Sequence, residues 1–220
     1  DCVEQAQKAL SDAKKPRAQE FIGDDAWRRL SDSPDVDVLY VATPIDWHTP
    51  MAIYGMKAGK HVLVEVIGCN TGDEGWELVE TAEETRRHCI MLENCCYGEY
   101  ELLAHTLCRQ GILGDIVHGE GAYIHDCRMM ELEVEGNWRI KRAAERMGNQ
   151  YPTHGLGPIC VDMNINRGDR LDYLTSIDSC SLGIERAARE NYPAGSWQRR
   201  IRFRSGDINT TTIRTALGKT

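Results

Sequence analysis

Three short apolar runs separated by amphipathic stretches constrain the first part of this chain more than any other feature. The runs are Asp37–Ala42 (DVLYVA), His61–Val66 (HVLVEV) and Cys89–Glu93 (CIMLE). Each has the length of one strand. Near-continuous apolarity is the pattern of a parallel strand buried on both faces. Between the runs, Thr49–Ala58, closed by Gly59, and Asp73–His88 have helical periodicity. Strand, helix, strand, helix, strand at this spacing predicts an α/β fold, a Rossmann-type doubly wound parallel sheet. Such a sheet takes its ligand outside the carboxyl ends of its strands. The positions that matter are therefore Thr43-Pro44, Glu65-Val66 and Glu93-Asn94. Upstream, Asp1–Lys15 reads as a helix with Val3, Ala6, Ala9 and Leu10 on one face. Phe21-Ile22 reads as a short strand, and Asp24 or Asp25 caps a helix through Trp27 and Leu30.

The texture changes after Asn94. Tyr100–Gln110 reads as a helix, Asp115–His125 as a strand, and a polar stretch follows through Trp138, Arg139 and Met147. A helix runs from Tyr151-Pro152 to about Asn164. Tyr173–Ser181 and Gln198–Arg204 read as strands, the latter alternating Ile201 and Phe203 with arginines. The expected organisation is thus a dinucleotide-binding domain over 1–94 and part of an α+β substrate domain with an open sheet over 95–220. No G-x-G-x-x-G turn follows a strand in these 220 residues. The chain is therefore expected to be an internal piece of a longer protein, without the first β-α unit and with its second domain cut short.

Charge narrows the partners. With 34 acidic against 26 basic side chains the chain carries a formal charge of −8. A net acidic protein is not drawn to phosphate surfaces, so nucleic acid is excluded as the general partner. No apolar run approaches a bilayer's thickness. The nine cysteines are odd in number and form no C-x-x-C pair. They read as small buried apolar side chains rather than a disulfide framework. The seven histidines include no H-x-x-x-H pair, and no Cys/His group has zinc spacing, so no metal site is expected.

The chemistry-bearing residues gather at a few places. Thr43, Pro44, Trp47 and His48 put a flat ring and an imidazole beside a helix start, where a heteroaromatic cofactor could stack and its phosphates meet free amides. The same residues also read as a helix-entry turn with Thr49 as cap. Glu65 ends a buried strand, a costly place for a charge unless it is paired or faces a cleft. Asn94 ends the third strand, as a cofactor ligand or as a turn former. Tyr151-Pro152-Thr153-His154 is the densest group. It sets a proton carrier and a hydrogen-bonding phenol on either side of a stiff turn at a helix start. Tyr123 and Arg139 are candidate sugar contacts, since a guanidinium forks to paired oxygens, though on the residues alone surface strand and helix packing is the favoured reading.

These motifs carry a resemblance. Tyr40-Val41-Ala42-Thr43-Pro44, Trp47-His48-Thr49-Pro50-Met51, Gly59-Lys60-His61 and Glu65-Val66 resemble the superfamily of glucose-fructose oxidoreductase and inositol dehydrogenase. Asn94-Cys95-Cys96-Tyr97, Gly148-Asn149-Gln150 with Tyr151-Pro152-Thr153-His154-Gly155-Leu156-Gly157-Pro158, and Met163-Asn164-Ile165-Asn166-Arg167-Gly168-Asp169-Arg170 are similar to glycoside hydrolase family 109 within it. The resemblance implies a tightly held NAD and α-N-acetylgalactosaminidase activity. The implied route runs by oxidation at C3 of the sugar, loss of the C2 proton, elimination at C1, addition of water and reduction. It further implies Thr43, Pro44, Trp47, His48, Glu65, Val66, Asn94 and His154 as NAD contacts. Tyr123, Arg139 and Tyr151 become substrate contacts, and His154 with Tyr151 the catalytic pair. The expected partners are a small-molecule or glycan substrate and a second copy of the chain. Two positions depart from the superfamily. Val66 stands where many of its dehydrogenases carry a catalytic Lys, and Ile67-Gly68 replaces a common Pro and small residue. The first departure disfavours a sugar or inositol dehydrogenase, the alternative reading; a non-catalytic sugar-binding regulator is a third.

Overall fold

In a computed structural model that describes residues 2–220, the chain enters on helices α1 (Cys2–Asp12) and α2 (Ala26–Asp32). It then alternates β1 (Val38–Val41), α3 (His48–Lys57), β2 (His61–Val64), α4 (Gly72–Thr85) and β3 (Cys89–Met91). The three strands pair in parallel in the order β1-β2-β3, with Val38 beside His61 and Val62 beside Cys89. Helix α4 begins in a full capping box, Thr71 and Glu74 satisfying each other's main-chain amides, and ends at Arg86 in the left-handed conformation. This unit ends at Leu92.

Leu39, Val41, Val62 and Val64 point to one side of the sheet and pack on Ala52 and Met56 of α3. The approach is close because position 55 is glycine: a Cβ there would lie 2.4 Å from Leu39 Cδ1. The strands are not buried on both faces as their composition suggests. Val38 is 48% and Tyr40 60% exposed, because among the described residues α3 covers one side of the strand and the other is open. Phe21-Ile22 forms no strand, and α1 buries no residue.

The second unit, Glu93–Thr220, contains α5 (Glu99–Arg109), α6 (Arg128–Glu133), α7 (Trp138–Glu145), α8 (Pro152–Asp162), β4 (Leu171–Asp178), α9 (Gly183–Asn191) and β5 (Asn209–Thr215). Strands β4 and β5 are antiparallel, Leu174 opposite Ile213 and Asp178 opposite Asn209. The expected strand over Asp115–His125 is not formed as a regular ladder. Its main-chain pairing runs through Gly119 and Val117 to Thr220. Gln198–Arg204 is not a strand either. Trp197–Arg199 is a 3-10 turn, and Ile201 and Phe203 pack on a cluster of Leu132, Ile140, Ile184, Ala187 and Ala188. The partner of β4 is instead Asn209–Thr215, whose sequence NTTTIRT is too polar to announce a strand. Helices α6, α7 and α9 lie in stretches whose charge hides them; each shows its apolar stripe only where Leu132, Ile140 and Ile184 go inside.

The cysteines also differ from expectation. All nine are free thiols, but Cys2 and Cys180 are exposed and the other seven only partly covered. Among the described residues no helix is long and apolar enough to cross a membrane.

Gly55→Ala tests the sheet–helix contact. Alanine favours the helix by about 1 kcal/mol, but overpacking costs about 1–3 kcal/mol. The full-length protein is expected to lose stability in urea denaturation, and Leu39→Val, which deletes the clashing methyl, should recover part of the loss.

Candidate active site

The residues with chemistry in the second unit converge on the start of α8. Glu93 caps a 3-10 turn, Asn94–Tyr97, its Oε1 accepting from the Cys95 amide at 3.0 Å. Pro152 occupies the first turn of α8, as a residue without an N–H can. Gly157 lets the capped turn lie against that helix: a Cβ there would be 2.9 Å from Glu93 Cγ and 3.1 Å from Cys96 Sγ. The consequence is a short contact, His154 Nδ1 to Glu93 Oε1 at 2.6 Å, with the two side chains 12% and 7% exposed. Cys95 Sγ lies 3.3 Å from the same nitrogen. Burial pushes the Glu93 carboxyl up, but Thr153, His154 and the Cys95 amide favour its charged form and hold it below the ordinary glutamate value. Glu93 Oε2 and Thr153 Oγ1 are buried and complete no hydrogen bond of good geometry.

An aromatic wall stands on the other side of His154. It exists because Gly121 and Gly155 let two main chains touch: a Cβ on Gly121 would fall 2.1 Å from the Gly155 carbonyl oxygen, and one on Gly155 2.9 Å from the Gly121 carbonyl carbon. Tyr123, two residues on, thereby reaches His154 with ring centres 4.7 Å apart. Tyr151 lies 5.7 Å from His154, nearly parallel to it, and 5.7 Å from Tyr123. Arg139, whose amide is capped by Asn137, places its guanidinium 5.2 Å from the Tyr151 ring and 4.4 Å from Trp138. Tyr123 is 42% exposed, and partial burial raises its phenol. Four predicted residues scattered over 123–154 thus form one cluster. Sequence reasoning marks Glu93 only as a strand end and Cys95 as packing. The available signal for Glu93 was the one applied to Glu65, a charge closing a buried run.

In the first unit the loops after β1 and β2 are tied together. His48 is 1% exposed, and its ring nitrogens face two main-chain carbonyls, Nδ1 that of Ile67 at 2.7 Å and Nε2 that of Thr43 at 2.8 Å. Thr49 donates to the Gly68 carbonyl at 3.2 Å, and Asn70 to Asp46 at 3.1 Å. The His48 ring therefore fastens the turn that carries Thr43, Pro44 and Trp47 and leaves no nitrogen for a ligand. Trp47 keeps 48% of its surface exposed beside Trp27. Glu65 is paired with the Tyr40 hydroxyl on the neighbouring strand. Val66 is buried. Asn94 belongs to the second unit and is exposed.

Comparison with known proteins places both units. The C-terminal domain profile of glycosyl hydrolase 109 matches residues 97–220. The chain belongs to glycosyl hydrolase family 109. Residues 3–92 match the oxidoreductase family with the NAD-binding Rossmann fold. An alpha-N-acetylgalactosaminidase of Bacteroides fragilis is 46% identical over 97% of this chain and 52% of its own length. A glycosyl hydrolase family 109 protein of Shewanella sp. strain ANA-3 is 47% identical over 97% of this chain and 48% of its own. The chain thus spans about half the length of the curated relatives it matches. An NAD-binding oxidoreductase of Klebsiella pneumoniae superposes with a TM-score of 0.70 at 20% identity, covering 98% of this chain and 53% of that one. It shows the shared fold.

Two outcomes follow for the family 109 protein at full length. Gly121→Ala meets main chain rather than a side-chain tip, so nothing gives way cheaply. It is expected to cost about 1–3 kcal/mol or more in urea denaturation and to lower activity with it. Glu93 carries the pH signature. Its folded-state pKa is depressed, so its stabilisation is fully present well above the ordinary value of 4.5 and is lost as pH falls through the depressed value. The stability gap between wild type and Glu93→Gln should shrink as pH falls through that depressed value. A gap that stays undiminished through that range contradicts the assignment.

Proposed function

We propose that the full-length protein is an NAD-dependent glycosidase that removes terminal α-linked N-acetylgalactosamine. One observation carries this reading: the site offers a histidine buttressed by a buried carboxylate and ringed by Tyr123, Tyr151 and Arg139. Displacement at a sugar by two carboxylates needs a pair of acids facing the bond across an open gap. Here Glu93 is spent on the imidazole. The named activity of the Bacteroides relative supports the substrate assignment.

The residues of the first unit suit a dinucleotide at its strand ends. The half-exposed Trp47 ring, the Thr43-Pro44 turn and the Glu65-Val66 step present a flat surface and polar groups on loops already tied down by His48. Thr43, Pro44, Trp47, Glu65 and Val66 would hold NAD there. When bound, it supplies reversible hydride transfer at C3 of the sugar.

The rest of the chemistry belongs to the chain's own groups. Glu93 Oε1 accepts from the Nδ1–H of His154, which fixes the tautomer and leaves Nε2 as the free acceptor. Nε2 takes the C2 proton once C3 carries a carbonyl. The depressed pKa of Glu93 keeps a negative charge beside the imidazolium that results. Tyr151, Tyr123 and Arg139 orient the sugar, the guanidinium through paired donors. Protonated His154 then returns its proton to C2 as water adds at C1.

Hydrolysis in heavy water should place deuterium at C2 of the released sugar. Full retention of protium there points to direct displacement and removes the proposal, and net NADH release points to a dehydrogenase. His154→Ala should cut turnover by about 10²–10⁴-fold with NAD still bound, while Tyr151→Phe should lose more substrate affinity than turnover. Turnover within a few-fold of wild type in a folded His154→Ala protein removes the acid/base role.

A further inference from the structure

Cys95 has no part in the reaction above, yet its sulfur shares the His154 nitrogen with Glu93. One ligand atom from each of Glu93, Cys95 and His154 lies within 4.8 Å of the other two. We propose that these three side chains form a binding site for a thiophilic divalent cation such as Zn²⁺ or Cd²⁺, and that occupation of this site switches His154 off.

The donor set is a thiolate, an imidazole and a carboxylate, which suits a borderline-soft ion and leaves the fourth tetrahedral position to water. The geometry is close to what the ion requires. Bond lengths near 2.0–2.3 Å at a tetrahedral angle separate ligand atoms by about 3.3–3.6 Å. Cys95 Sγ and His154 Nδ1 already stand 3.3 Å apart, all three ligand atoms lie within 4.8 Å of one another, and the 2.6 Å contact between His154 and Glu93 must open. A second observation points the same way. Glu93 is 6% exposed, and its Oε2 is buried beside the Thr153 hydroxyl without a hydrogen bond of good geometry, so the carboxylate keeps capacity for a stronger partner. The sequence hides the site because its ligands are 59 and 61 residues apart from His154, far outside local zinc spacings.

The balance of the step fixes its consequence. The ion replaces the thiol proton of Cys95, which leaves to solvent. It also displaces the Nδ1 proton of His154, and the ring takes up a proton on Nε2 instead. One proton is released for each ion bound, and the cation's two charges meet one thiolate and one carboxylate. The ring's outward nitrogen then carries a proton and accepts none. Inhibition therefore rests on the reading of His154 as the acid/base, whereas ion binding does not.

The full-length enzyme with its NAD tests both parts. Titration with CdCl₂ should give a thiolate-to-cadmium charge-transfer band and release about one proton per ion, while ZnCl₂ should abolish glycosidase activity until EDTA restores it. Cys95→Ser should keep basal activity and lose the band, the proton release and the zinc sensitivity. Its affinity for the ion should fall by about 100-fold or more, since even outer partners of a ligand are worth 10–100-fold. Cys96→Ser should behave as wild type. A band of equal strength in wild type and Cys95→Ser, or none in either, overturns the site. A band lost in Cys95→Ser with activity untouched by zinc keeps the ion site and overturns the acid/base role of His154.

Discussion

The contact between the main chains at Gly121 and Gly155 is the constraint under which the second unit's site exists. No side chain separates them, so the segment carrying Tyr123 rides directly on the first turns of α8. Helix α8 is a poor helix by composition. It holds two glycines after His154, and Pro158 cannot donate to the carbonyl of His154. Its sequence is explained by what it must approach rather than by propensity. Gly155 admits one backbone, Gly157 admits the capped turn of Glu93 and Cys96, and His154 lies between the two contacts with its ring fixed from both sides.

Legibility followed the same logic. The β1-β2-β3 half could be read because Leu39, Val41, Val62 and Val64 make strands whose apolar runs stand out from their surroundings. Its one-sided burial could not, since Val38 and Tyr40 are as apolar as their neighbours and only the placement of α3 separates inside from outside. In the second unit Asn209–Thr215 and Gly183–Asn191 were invisible for a different reason. A threonine-rich strand and an alanine-striped helix bury little per residue, and their assignment depends on partners distant in sequence. Within the candidate site, Tyr151 and His154 are neighbours along the chain and could be seen. The roles of Glu93 and Cys95 could not, because a separation of 61 residues is closed by a glycine whose purpose appears only in three dimensions.

His48 and His154 are held in opposite ways, the first by main-chain carbonyls and the second by a carboxylate. His48 gives both nitrogens to the carbonyls of Thr43 and Ile67. Loops that would otherwise lose conformational freedom when a ligand arrives have already lost it during folding, so association is spared that entropy. A ligand at these strand ends would meet loops that this histidine has already ordered.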